Sequence, residues 1–182
     1  MRSASPRGSS PSVVGVRPWA GAALARLEPI AVASLSLGAA AIHFGVISEH
    51  FAEDVLFGLF FSAVGWFEAL WALAYVVRPT RVLALIGLAG SVGTVAVWMW
   101  AHFLGLPFGP DPGSIEPTTV TDLTATLFEA LLAIWLVVSL VSGVRRRATS
   151  LALSVGLVSL LIVVVAAAAT LALAAGMPDH GG

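Results

Sequence analysis

The chain has 182 residues, of which 58% are apolar and only 10% charged, with a mean hydropathy of +0.97 and a formal net charge of −1 at pH 7. Soluble domains carry roughly 25% charged residues, so this composition argues against a water-soluble fold and for an all-α, polytopic membrane bundle. Cysteine is absent, which excludes disulfides, iron–sulfur clusters, thiolate metal sites and cysteine nucleophiles.

Residues 1–28 are rich in Ser, Pro, Gly and Arg and read as a disordered cytoplasmic tail. The bundle is expected over 29–176, beginning with an apolar run at 30–48. Ala39-Ala40-Ala41 resembles a signal-peptidase site, but the run is longer than a signal h-region and follows a long tail, so it reads as an uncleaved helix. Further spans are expected at 55–77, 82–104, 120–144 and 151–175, each longer than the ~20 residues that cross ~30 Å of hydrocarbon. Residues 177–182 form a short tail.

Charge orients these five helices. Arg2, Arg7, Arg17 and Arg26 precede the first, Arg78 and Arg81 lie between the second and third, and Arg145, Arg146 and Arg147 between the fourth and fifth. The alternate connections and the C-terminal tail carry Glu49, Glu53, Asp54, Asp111, Glu116 and Asp179. The positive-inside rule then places the N-terminus in the cytoplasm and the C-terminus outside. The arginines are topology signals rather than a nucleic-acid surface, and the bilayer is the expected partner, with a homo-oligomer or other subunits of a membrane complex as further partners.

Within this frame there is an internal repeat. Phe67-Glu68-Ala69-Leu70 in the second helix matches Phe128-Glu129-Ala130-Leu131 in the fourth, and His43-Phe44 in the first matches His102-Phe103 in the third. Two helical hairpins thus carry a histidine on the outgoing helix and a glutamate on the returning one, with the fifth helix as an added packing element. A carboxylate at mid-bilayer costs about 2.5 kcal/mol or more, so Glu68 and Glu129 are expected to face the bundle interior with a partner. Asp122, two turns before Glu129 on the same face, reads equally as a site residue or a helix cap. His50 and Glu53 align with His43 only if the first helix continues past Ser48; Glu53 and Asp54 otherwise read as first-turn acids of the second helix.

The histidines, His43, His50, His102 and His180, all fall on the outer side. A polar site of His43, Glu68, His102 and Glu129, with His50 and Asp122 as secondary members, suits zinc, iron, manganese or copper(II). Three other readings stay open: a haem held by His43 and His102, interhelical hydrogen bonds, and a proton or ion path descending from His102 and Asp122 to the glutamates. Against a metal, the histidines are expected about two turns of ~5.4 Å above the glutamates.

The loop Gly105-Leu106-Pro107-Phe108-Gly109-Pro110 is stiffened by proline and turned by glycine, and reads as a lid over the outer end. With Trp98, His102, Glu116, Asp122 and Glu129 it resembles a motif of uncharacterised bacterial multi-pass membrane proteins, Trp-x3-(Arg or His)-x2-Gly-Leu-Pro-x-Gly-Pro followed by Glu, Asp and Glu. The resemblance covers the third and fourth helices, implies a bacterial cytoplasmic membrane location, and carries no activity. Trp66, Trp71, Trp98, Trp100 and Trp135 read as interfacial anchors and packing residues rather than a cation cage. Gly58, Ser62 and Gly65 line a small-residue face suited to close helix contact. No phosphate loop, nucleophile elbow, HExxH or dinucleotide fingerprint is present. The sequence therefore leaves three functions open: a metal- or cofactor-binding membrane protein, a proton- or ion-coupled small transporter, or a non-catalytic subunit of a membrane complex.

Overall fold

The starts of the second, third and fourth helices can each be traced to a capping residue. A computed structural model describes residues 18–142 and 151–176, and all regular structure among them is helical. The helices are α1 (Pro18–Glu53), α2 (Val55–Val77), α3 (Arg81–Phe103), α4 (Val120–Ser142) and α5 (Leu151–Gly176). Asp54, extended at φ −157° and ψ 139°, alone separates α1 from α2, and its carboxylate caps α2 by accepting from Leu56 N at 2.7 Å. Thr80 does the same for α3, its hydroxyl accepting from Leu83 N at 3.2 Å.

The first helix corrects the sequence reading at both ends. It starts at Pro18 rather than near Ile30, so residues 18–28, expected to be disordered, are helical. Proline suits a first helical turn, and the Ala, Leu, Arg and Glu that follow are good helix formers. Hydropathy alone misses them. Pro29 lies inside the helix and removes one intrahelical hydrogen bond without ending it. At the other end the helix runs past Ser48 to Glu53, which brings His50 and Glu53 onto its last turn. The remainder of the tail (1–17), Arg145–Arg147 and residues 177–182 with His180 lie outside the described residues.

Four helices, α1 to α4, are long and apolar enough to cross a membrane; in α5 the described apolar stretch is Leu157–Leu173. α1 is the hub, packing on α2, α4 and α5, while α3 packs on α4 and α2. Half of α1's apolar window is buried, against 17–28% for the other three spans, so α1 supplies the largest share of the core: Val32, Ala33, Leu35, Ala39, Ala40 and Ile42. The outward faces are Leu, Val, Ile, Phe and Trp, whereas Ser36, His43, Glu68, Ser91, Thr121 and Glu129 are buried. Polar inside and apolar outside is the arrangement a bilayer requires.

The helices meet by placing large rings on glycines. Phe44 and Phe51 of α1 cover Gly65 and Gly58 of α2, and Phe67 and Trp71 of α2 cover Gly90 and Gly87 of α3. Lipid tails offer no hydrophobic drive for helix association, so close packing of this kind supplies much of it. The Trp71 ring is also fixed by its indole N–H, which donates to Leu83 O at 2.7 Å. The 104–119 connection turns at Gly105 (φ +74°) and Gly113 (φ +82°), conformations that favour glycine. It folds back on α3, with Gly113 N donating to Leu106 O and Glu116 N to Ala101 O, and Gly109 packs on Phe57 of α2. Leu106 is half-buried, while Pro107 and Pro110 are exposed.

Because a methyl group at Gly87 would fall inside the space of the pinned Trp71 ring, Gly87→Ala is expected to destabilise the bundle by about 1–3 kcal/mol. Gly93→Ala meets nothing within 4 Å and is expected to hold or slightly raise the thermal midpoint in detergent. The two melting curves, measured side by side, check both expectations.

Candidate functional site

Three buried side chains from three helices converge in the middle of the bundle. His43 Nε2 of α1 lies 3.3 Å from Glu129 Oε1 of α4, in hydrogen-bond contact, and 3.7 Å from Glu68 Oε2 of α2. One donor atom from each of the three lies within 4.8 Å of the others. The residues are 4%, 4% and 1% exposed for His43, Glu68 and Glu129. Counted along the helices at ~1.5 Å per residue, all three sit roughly 14–20 Å from the same end of the bundle, near the centre of a ~30 Å apolar layer.

The expected offset in depth between histidine and glutamates is therefore not found for His43. The additional turn of α1 from Ser48 to Glu53 moves the end of that helix outward, and His43 drops to the level of the carboxylates. α1 lies between α2 and α4, which is why its imidazole bridges acids from two different hairpins. Ser36, two turns before His43 on the same face, donates its hydroxyl to Glu68 O at 3.0 Å and fixes α2 against α1. The Phe61 ring lies 5.4 Å from the His43 ring and closes the site on the side of the α1–α2 turn.

The chemistry of this cluster follows from its donors and its charge. Two carboxylates and one imidazole present two anionic groups and one neutral or cationic group in a space closed to bulk solvent, and like charges this close require an intervening cation or protons. The edge of a coordination tetrahedron with ~2.1 Å bonds is about 3.4 Å. The separations of 3.3 and 3.7 Å from His43 Nε2 bracket that value. Glu68 Oε2 and His43 Nδ1 are buried and have no hydrogen-bond partner among the described residues, so the cluster is not satisfied by its own members.

His102, expected in the same site, stands apart from it. It lies one residue from the end of α3, about two turns nearer the α3–α4 loop than Glu129. Its Nδ1 donates to Trp98 O at 2.9 Å, and its Nε2 faces Asp122 Oδ2 at 3.8 Å. Asp122 does serve as a helix cap. Its carboxylate accepts from Thr119 N and Oγ1 at 3.0 and 2.6 Å, while its own N–H donates to Thr119 Oγ1 at 3.1 Å, a reciprocal capping box. His50 Nδ1 is 3.0 Å from Glu53 Oε2, and the His50 ring stacks on Phe61 at 3.9 Å. Phe61 thus separates the solvent-facing His50 from the buried His43.

Several contributors carried no signal that sequence reasoning used. Ser36 could have been found by its i−7 spacing from His43. Glu28 accepts from Trp135 Nε1 at 3.1 Å and Ser139 Oγ at 2.8 Å, tying α1 to α4 at the opposite end; nothing in the local sequence announces that long-range contact. No family model, curated protein or solved structure matches the chain.

Removing one member of a buried ionisable cluster leaves the others uncompensated. His43→Leu is therefore expected to destabilise the bundle by about 3–5 kcal/mol. Replacing His43, Glu68 and Glu129 together by Leu removes every such group and is expected to melt at or above the wild-type midpoint. If the triple variant instead melts as low as His43→Leu, the cluster holds the fold together rather than being tolerated by it.

Proposed function

We propose that this chain is an integral membrane protein that binds a divalent first-row metal ion through His43, Glu68 and Glu129 at the centre of its bundle. The observation that carries this reading is the convergence of three buried donor atoms within 4.8 Å, one from each of α1, α2 and α4. A divalent ion balances the two carboxylates, which apolar surroundings otherwise disfavour as a pair. One nitrogen and two oxygen donors, with no sulfur, suit manganese, iron(II) or zinc. Copper(II) fits less well to a single imidazole, and a haem bridging His43 and His102 loses its support, because His43 Nε2 is engaged by Glu129 beside Glu68 and His102 sits about two turns nearer the α3–α4 loop.

The surrounding residues give the site its character. Phe61 and the apolar core restrict water, which strengthens every electrostatic contact inside. With three protein ligands the ion keeps at least one coordination position for another ligand, the pattern of a working rather than a purely structural site. The asymmetry of arginine supports a topology with the N-terminus in the cytoplasm, so that the α1–α2 turn and the 104–119 loop face outward and the loop covers the outer end of α3.

A second reading, proton transfer through the same cluster, draws on the His43–Glu129 hydrogen bond at 3.3 Å. The two separate on metal content. Purified in detergent, the wild-type chain is expected to carry one more ion than Glu129→Gln or Glu68→Gln, measured by elemental analysis after dialysis against manganese or zinc. A chain whose metal content is the same with and without these glutamates removes the metal assignment and leaves proton transfer, which pH-driven flux in vesicles would then report.

A further inference from the structure

The polar side chains at the loop end of α3 and α4 are bonded in a way that the central cluster does not explain. His102 Nδ1 lies 2.9 Å from Trp98 O. A carbonyl only accepts, so Nδ1 carries the proton, and in the neutral ring Nε2 presents a bare lone pair. That nitrogen is buried without a hydrogen-bond partner among the described residues, on a side chain 8% exposed. It faces Asp122 Oδ2 across 3.8 Å, an oxygen that already accepts from Thr119. Two acceptors therefore confront one another. The Trp98 indole stacks on the His102 ring at 4.5 Å, and its N–H is likewise buried and unpaired.

We propose that His102 and Asp122 form a second cation site, which takes a divalent first-row ion between His102 Nε2 and an Asp122 carboxylate oxygen. Three features favour an ion over a simple imidazolium–carboxylate pair. A charge-assisted hydrogen bond closes to about 2.7–2.9 Å, and 3.8 Å is far longer. Two metal–ligand bonds of ~2.1 Å spanning that separation subtend about 130°, within the range of a metal centre. Metal-ligating histidines also characteristically donate their other ring nitrogen to a backbone carbonyl or carboxylate, which fixes the tautomer and the ring plane. His102 does so through Trp98 O, and the indole N–H of Trp98 is left to hydrogen-bond an oxygen that completes the shell.

The position of this site gives it a role. Asp122 precedes Glu129 by seven residues on one face of α4, a rise of about 10.5 Å. The two sites thus lie in series along α4, one near the loop and one at the centre. This serial role rests on the metal assignment of the central cluster, whereas the second site itself rests on His102, Asp122 and Trp98 alone.

Zinc or manganese titrated into the full chain in detergent, with bound ion counted after equilibrium dialysis, tests both. Wild type is expected to bind two ions per chain, Asp122→Asn and His102→Arg one each, Glu129→Gln one, and the Asp122→Asn, Glu129→Gln double variant none. Asn keeps an oxygen to cap Thr119, and Arg sets a fixed cation opposite Asp122, so each change removes the ion by a different route. Ion counts unchanged by both Asp122→Asn and His102→Arg overturn the second site, whatever the central cluster does. A single wild-type ion that disappears with Asp122→Asn but survives Glu129→Gln upholds the second site and overturns the central one. A wild-type chain that binds no ion overturns both.

Discussion

Carboxylates are poorly tolerated against hydrocarbon, and α2 and α4 each carry one near mid-height. A charged group there costs about 2.5 kcal/mol or more unless it turns inward and meets a partner. Neither helix can satisfy its acid alone, since both present the same chemistry. The partner comes from α1, which lies between them and offers one imidazole to both, at 3.3 and 3.7 Å. The centrality of α1, its burial and its unbroken course from Pro18 to Glu53 all serve that placement. A helix ending at Ser48 would shift the register of the turn at Asp54 and with it the height of Glu68.

Bringing three helices close enough for such short polar contacts requires that their backbones approach one another. The bundle achieves this with aromatic rings seated on glycines, Phe44 on Gly65 and Phe51 on Gly58 between α1 and α2. The same pattern, Phe67 on Gly90 and Trp71 on Gly87, sets α3 against α2. α4 is held to α1 at one end by Glu28 with Trp135 and Ser139, and in the middle by His43 with Glu129. Polar contacts between helices are worth only about 1 kcal/mol each in a membrane, so they fix register and leave most of the cohesion to packing.

How much of this was legible in the sequence depended on which signals are local. The starts of α2, α3 and α4 fall within a residue of expectation, because Asp54, Thr80 and the Thr119–Asp122 pair are capping signals at the edges of apolar runs. The start of α1 was hidden because hydropathy marks where lipid begins, and a helix can continue beyond it on propensity alone. Glu68, Glu129 and His43 were legible as costly residues in apolar surroundings, and burial agrees. What was not legible was which histidine they would meet. His43 and His102 have the same neighbour, a following phenylalanine, and similar spacing to a glutamate; only the packing order, with α1 rather than α3 between the two acids, tells them apart.

That packing order also explains why His102 is bonded as it is. Near the end of α3, beside the loop and one turn after Trp98, its ring has a backbone carbonyl within reach and no glutamate. The first turn of α4 supplies Asp122 instead, with one oxygen already engaged by Thr119. His43 shows the inverse arrangement: its Nε2 is engaged with acids and its Nδ1 is unpartnered. One histidine is therefore oriented by the backbone and open toward a carboxylate, and the other is oriented by carboxylates and open on its far side. Similar residue patterns in the two hairpins thus yield a closed central cluster and a more accessible peripheral pair, and the difference arises from the packing order together with the position of each histidine along its helix.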